Sequence, residues 1–431
     1  MTLAELALFG GPKTINKEFP RYNPIGEEEV AAVTAVVRGG GLSKFLGTWD
    51  ADFFGGEKVQ AFERAWSSYF KVKHAVTVNS NTSGLIAAIG AIGIEPGDEV
   101  IVSPWTMSAS ATAILVWNAV PVFADIEERT FNLDPVSIEK NITPRTRAIM
   151  VTDIFGHAAE LDSIMAIARK HKLKVIEDCA QAPAARYRGR FAGTVADIGV
   201  FSLNYHKHIH TGEGGVCVTN DDRLAERLQL IRNHAESVVE GKGVTDLSNM
   251  IGFNFRMTEI EAAIGIEQLK KLSRLTDERA RLAQRLNGHL QGLAGLRVPV
   301  VEADCTHVYY VYPLIYDDRE TGVPREQIVK ALRAEGLAIS DRYVMLHRLP
   351  MYRQKIAHGS KGFPWSADFY KGEVSYAEGI CPLAEDLQDR RFMALAMCMH
   401  DYSDADIDLL GEAFRKVWSQ MARLEQLKSA G

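Results

Sequence analysis

Between about Lys71 and Asn220 the chain repeats one rhythm: a short β-branched run, a loop, then an amphipathic helical stretch. The runs are "HAVTVNS", "DEVIVSP", "VPVFADI", "RAIMVTDIFG", "LKVIEDCAQA", "DIGVFSLN" and "GGVCVTN". Each is too short for a buried helix and rich in Val and Ile. Helical segments such as Leu161–His171 and the stretch after "NTSG" separate them. This alternation predicts an α/β fold: a mostly parallel, seven-stranded sheet with helices on both faces. Ligands of such sheets sit at the carboxyl ends of the strands. That rule points to positions 80–83, 105–107, 178–181 and 202–207.

The flanks read differently. Glu57–Phe70 carries Val59, Phe62, Trp66 and Tyr69 at helical spacing and should pack on the sheet. Before it, "RGGGLSKFLGTWDADFFGG" combines glycine with aromatics, as a docking loop would. Downstream, Thr258 and Glu261 form a capping box that opens a long helix in "RMTEIEAAIGIEQLKKL". "HVYYVYPLIYD" alternates like a half-buried strand, a helix is expected over 326–335, and a last helix over 404–423 shows Ile407, Leu410, Phe414 and Trp418 on one face. The expected partition is an N-terminal arm and docking loop (1–55), a large ligand-binding domain (56–270) and a smaller C-terminal α+β domain (271–431).

Composition excludes several classes. The net charge is -6 and no basic stripe is interleaved with aromatics, so nucleic acid is not an expected partner. The N-terminus lacks a charged segment followed by an apolar core, and the most apolar stretch is interrupted by Asn118 and Pro121, so neither signal peptide nor membrane span is expected. Five scattered cysteines without a CxxC pair fit reduced thiols in a cytoplasmic enzyme.

Three strand-end groups carry chemistry. "SNTSG" runs directly into a helix, so the N–H groups of Asn81, Thr82 and Ser83 and two hydroxyls form an anion site. Asp178 ends an apolar run, where a carboxylate needs a cation or several donors. Lys207 follows another strand end, where apolar walls lower a lysine's pKa and make it a nucleophile toward carbonyls. A phosphate cradle, a buried acid and a cleft lysine are what pyridoxal 5'-phosphate requires. The same stretch, "SLNYHKHIHTGEGG", places His206, His208 and His210 at alternate positions. On a strand, a His-x-His pair with Glu213 could chelate zinc. That reading leaves the cradle and Asp178 unexplained and sets Lys207 beside a metal, so no metal is expected.

The ordered segments "SNTSG", "GDEVIVSPWT", "NITPRTRAI", "VIEDCAQA", "GVFSLNYHKHIHTGEGG", "IRNHA" and "IGFNFRMTEIEAAIG" resemble the DegT/StrS family of sugar aminotransferases. The resemblance runs from about Gly26 to the end and is densest over 75–270. It implies an aspartate-aminotransferase-like, fold-type-I pyridoxal-phosphate enzyme. By that resemblance Lys207 is the Schiff-base lysine and proton shuttle, and Asp178 pairs with the pyridinium nitrogen. Gln181 touches the ring hydroxyl, and Thr82, Ser83 and Ser202 contact the phosphate. Asn254 reaches the phosphate from a neighbouring subunit, which implies a homodimer with a shared active site. The family's aromatic ring-stacking position falls in "SPWTMSAS", where Met107 aligns and Trp105 lies two residues earlier; the two remain alternatives. One branch of the family has histidine in place of the lysine and removes a hydroxyl instead of moving an amine; here Lys207 aligns with the lysine. Tyr205, His206 and His208 are expected to line the sugar side.

The expected activity is transfer of an amino group from glutamate or glutamine to a keto sugar. A nucleotide-linked keto-deoxy sugar of amino-sugar, surface-polysaccharide or secondary-metabolite biosynthesis comes first. A keto-octulosonate, a keto-cyclitol or a dehydratase activity are the alternatives. The docking loop is expected to contribute to the choice of acceptor.

Overall fold

A computed structural model describes residues 5–428. The seven apolar runs form seven strands of one sheet: β1 (His74–Val78), β2 (Glu99–Val102), β3 (Val120–Phe123), β4 (Thr146–Thr152), β5 (Lys174–Asp178), β6 (Ile198–Ser202) and β7 (Gly215–Thr219). Their spatial order is β1-β7-β6-β5-β4-β2-β3. Strands β2 to β6 run parallel, and β7 is antiparallel to both β6 and β1.

Side chains alternate between two cores, as the period of a strand demands. Val100 and Val102 enter one core with Met150, Ile176 and Val200; Ile101 enters the other with Ile149, Val151 and Val175. Helices α1 (Glu57–Phe70) and α4 (Leu161–His171) cover the second face, through Phe62, Trp66, Leu161 and Ile164. Helices α2 (Asn81–Ala91) and α3 (Ala109–Val116) cover the first, through Leu85, Ile89, Ala111 and Ile114. With both faces buried, the strands read as continuous apolar runs. On α1 the buried stripe is Val59, Phe62, Trp66 and Phe70, one place beyond the expected Tyr69.

Thr258 and Glu261 do form the capping box, and α5 extends from it over 32 residues (Glu259–Leu290). It leads to a four-stranded antiparallel sheet: β8 (Leu296–Arg297), β9 (Tyr312–Tyr316), β10 (Ile339–Ser340) and β11 (Phe392–Leu395), ordered β8-β9-β11-β10. The strand expected to be half-buried, β9, is buried at all five positions. Tyr312, Leu314 and Tyr316 join a core with Leu282 and Leu286 of α5, while Ile315 points into the core of the large sheet. The helix expected over 404–423 is α6 (Asp404–Trp418), and a separate helix follows at Met421–Lys428.

The N-terminal arm packs on the small sheet's core through Leu6 and Ile15. The fully buried carboxylate of Glu335 accepts bonds from the Ala7 N–H (2.8 Å), the Thr14 N–H (3.0 Å), the Thr14 hydroxyl (2.8 Å) and Lys416 Nζ (2.8 Å). Tyr22 ends the arm by donating its hydroxyl to the carbonyl of His208 at 2.6 Å. The loop that precedes α1 docks on its own chain: Asn233 Nδ2 donates to the carbonyls of Leu46 (2.8 Å) and Phe53 (3.1 Å), and Lys242 lies over the Trp49 ring.

Candidate active site

A cavity of about 230 Å³ opens at the carboxyl ends of β1, β5 and β6. Register brings its polar floor together, with Asp178 opposite Thr152 on β4 and Val200 on β6. Asp178 is buried. Its carboxylate accepts the Ser110 hydroxyl (2.8 Å), Asn81 Nδ2 (3.2 Å) and the Ala180 N–H (3.2 Å). Burial raises its pKa, and those donors together with Lys207 oppose the rise.

Lys207 lines the same cavity. Its amine makes no hydrogen bond or ion pair among the described residues, and Nζ lies 4.1 Å from the centre of the Tyr310 ring. Burial lowers its pKa from 10.5 to about 8, against the pull of Asp178. The amine therefore sits within reach of neutrality.

The anion seat is built by the start of α2. Ser80 is its N-cap, with the hydroxyl accepting the Ser83 N–H at 3.0 Å. Ser83 Oγ donates to Asn79 Oδ1 at 2.6 Å, so Ser83 is turned back into the cap and does not line the cavity. Thr82 and Ser202 do line it, as does Asn81, whose N–H and that of Thr82 have no partner among the described residues. Gly215 closes this wall: a Cβ there would lie 2.8 Å from Ser80 C and O and 2.9 Å from Asn81 N.

Gln181 is fixed at both ends of its amide. Its Oε1 accepts the Phe155 N–H at 2.9 Å, and its Nε2 donates to the Tyr343 hydroxyl at 3.0 Å. Met107 lines the cavity and is 57 % exposed. Trp105, its alternative as ring cover, is fully buried among Phe131, Phe155 and Phe392 and does not reach the cavity. Its indole N–H donates to Gln388 Oε1 (3.0 Å), which also accepts the Tyr343 N–H.

The segment "YHKHIH" is a turn beyond β6, not a strand. Its histidines therefore diverge. His206 lines the cavity and is pushed down to about 4 by burial and then by Lys207. His208 is fully buried; its ring nitrogen Nε2 donates to the Val308 carbonyl at 2.7 Å, and burial takes it to about 3. His208, expected to line the sugar side, thus lies outside the cavity lining. His210 faces Gly212, whose N–H reaches its Nδ1. Among the described residues the one group of possible metal ligands is Asp153, Glu177 and Cys179, which includes none of these histidines. Tyr205, 60 % exposed, and Asn254, also exposed, both lie outside the cavity lining.

Three contributors carry no local signal: Tyr310 and Tyr343 come from the C-terminal third and Ser110 from α3. Asn204, whose Nδ2 donates to Glu213 at 2.8 Å, falls within the strand-end stretch 202–207. Glycine-flanked or strand-end patterns mark Lys207 and Asp178, but nothing near those three does so.

The sequence profile of the DegT/DnrJ/EryC1/StrS aminotransferase family matches residues 25–389. The chain belongs to that family. This aminotransferase is 40% identical over 306 residues to the GDP-perosamine synthase of Caulobacter vibrioides, covering 69% of this chain and 79% of that one. It is 32% identical over 427 residues to the L-glutamine:scyllo-inosose aminotransferase of Streptomyces griseus, covering 96% and 97%. Among solved structures, S. venezuelae DesV in complex with a ketimine intermediate superposes with a TM-score of 0.73 at 30% identity, over 91% of this chain and 98% of that one. Enzymes of the family are pyridoxal-phosphate-dependent, and the aminotransferase has their fold: a mostly parallel seven-stranded sheet and a smaller C-terminal unit.

Proposed function

We propose that this chain moves an amino group from glutamate or glutamine to a keto sugar, with pyridoxal 5'-phosphate held in the cavity above Asp178. One observation carries it: a buried lysine amine without hydrogen-bond partner shares a cavity with a buried carboxylate and a free helix N-terminus. The donor set fits the cofactor. Two buried oxygens in the lining, Asn81 Oδ1 and Asn204 Oδ1, have no partner among the described residues, which is costly unless a bound group or water pairs with them.

Thr82, Ser202 and the N–H groups of Asn81 and Thr82 would hold the phosphate. Asp178 would hold the proton of the ring nitrogen, Gln181 would orient the ring hydroxyl, and the Met107 thioether would cover one ring face. The cofactor supplies an electron-poor ring that carries the amino group and stabilises negative charge at the adjacent carbon. Lys207 Nζ takes the proton from that carbon of the amino donor and returns it to the acceptor's carbon; a pKa of about 8 leaves part of it unprotonated near neutrality. His206, held neutral, can offer or accept a hydrogen bond to a sugar hydroxyl without adding charge. Asn254, exposed on its own chain, would complete the phosphate site of a partner copy in a homodimer. Reduced thiols and an acidic-leaning surface are in keeping with work in the cytoplasm.

A nucleotide-linked keto-deoxy sugar is the favoured acceptor, in keeping with the similarity to GDP-perosamine synthase. A keto-cyclitol is the second reading, favoured by the nearly full-length similarity to a scyllo-inosose aminotransferase. The lysine in the cavity, where a dehydratase would present histidine, speaks for amine transfer. The test is a half-reaction screen. Enzyme converted to the amino form of the cofactor by glutamate or glutamine is challenged with keto sugars, cyclitols and a keto-octulosonate, and return of the original absorbance is read. Lys207→Ala should abolish both half-reactions; a normal rate in that variant would overturn the assignment.

A further inference from the structure

We infer that Tyr310 is a positioning residue for the Lys207 amine, presenting its ring face to hold that amine in its protonated form. The inference rests on Lys207 as the reacting amine, but its physical basis is independent of the acceptor. Lys207 Nζ lies 4.1 Å from the Tyr310 ring centre and makes no hydrogen bond or ion pair among the described residues. The negative face of an aromatic ring attracts an ammonium and is nearly indifferent to a neutral amine. Tyr310 therefore acts most while Lys207 carries a proton from one carbon to the other. It fixes Nζ above the ring, and it opposes the drop in basicity that burial imposes.

The ring is held for this purpose from both sheets. Its segment enters β9 from across the cavity and approaches Gly156 closely: a Cβ on Gly156 would lie 2.8 Å from Tyr309 N and 3.0 Å from Tyr310 N. The Val308 N–H donates to the Gly156 carbonyl (2.9 Å), and His208 Nε2 grips the Val308 carbonyl. From the small sheet's side, the Cys398 N–H donates to the Tyr310 carbonyl at 3.3 Å. The other groups facing Lys207 are Asp178 from β5, His206 and His208 from its own turn, and Cys398. The two histidines are neutral near pH 7, and burial keeps the Cys398 thiol protonated, so Asp178 is the remaining charge beside the amine, and the exposed Glu213 is the other carboxylate of the cavity lining.

The test titrates Lys207 directly in the full-length chain freed of cofactor. Acylation of Lys207 by a small anhydride is followed against pH by mass spectrometry of its peptide. Tyr310→Phe, which keeps the ring face, should leave the apparent pKa within about 0.3 units, whereas Tyr310→Leu should lower it by about 0.5 to 1.5 units. In the loaded enzyme Tyr310→Leu should lower kcat with little change in KM, and Tyr310→Phe should restore it. An unchanged pKa in Tyr310→Leu, or an equal fall in Tyr310→Phe, would overturn the inference. If Tyr310→Leu does not fold by circular dichroism, Tyr310→Trp offers a stronger ring face and should raise the pKa; no rise refutes it. A wild-type chain that shows the titration pattern but no transamination would leave this inference standing and remove the proposed activity.

Discussion

Replacing Gly215 by alanine isolates the anion seat from the rest of the chemistry. The new Cβ would sit 2.8 Å from Ser80 C and O and 2.9 Å from Asn81 N, all backbone atoms at the cap of α2. Carbon contacts settle near 3.5–4.0 Å, so the cap must move by roughly 0.7 Å or more. Gly215 cannot yield instead, because it is paired on both sides, to Val78 and to Ser202. Overpacking of this kind costs about 1–3 kcal/mol. A phosphate cradle tolerates errors of only about 0.5 Å, so much of that cost should appear in cofactor binding. Gly215→Ala should weaken pyridoxal phosphate binding by about ten- to a hundred-fold, measured by absorbance titration of the cofactor-free chain. Gly288→Ala is the control: its Cβ meets nothing within 4 Å near the end of α5, so it should stabilise the chain by up to about 1 kcal/mol and leave binding alone. Unchanged cofactor affinity in folded Gly215→Ala would refute the placement of the seat.

Further outcomes follow from the cavity's charges and its covering residues. Lys207 binds its proton less tightly in the native chain than in the unfolded one, so its burial penalty is full below pH 8 and fades between pH 8 and 10.5. Lys207→Met should therefore stabilise the cofactor-free chain by up to about 3 kcal/mol at pH 7, and by little at pH 10.5, in denaturant titrations. Ser110→Ala removes a 2.8 Å donor to Asp178, which raises the pKa of that carboxyl further and should move the acid limb of kcat upward by about one unit, read from the pH profile of kcat. Trp105→Phe should lower thermal stability by about 1–3 kcal/mol through lost packing and the lost bond to Gln388, without changing the cofactor's absorbance; Met107→Ala should change the absorbance and leave stability nearly alone.

The strands were legible because burial on both faces writes them as unbroken Val- and Ile-rich runs, and the helix caps were legible because capping is local. Lys207 and Asp178 stood out for a related reason, as polar residues ending apolar runs. The histidine spacing misled, since alternation looks the same in a turn as on a strand. No local pattern reveals that His208 turns to the Val308 carbonyl while His206 turns to the cavity. Ser83 reads like its neighbours in "SNTSG", yet its hydroxyl is bonded to Asn79 and its N–H to Ser80. Tyr310 and Tyr343 reach the cavity, and Ser110 reaches Asp178, only through tertiary packing, so no spacing could announce them. The burial of β9 depends in the same way on which elements close over its second face.

The antiparallel pairing of β1 with β7 has a consequence for how the protein is made. Among the described residues, His74–Val78 is the first strand of the large sheet to leave the ribosome, and its one neighbour there is Gly215–Thr219. At roughly 5–20 residues per second, the intervening chain keeps an apolar edge waiting for about 7 to 27 seconds. The seat formed by Ser80, Asn81 and Gly215 exists only once that wait has ended. A chain that holds the proposed cofactor would thus be one in which Gly215–Thr219 has already closed against His74–Val78.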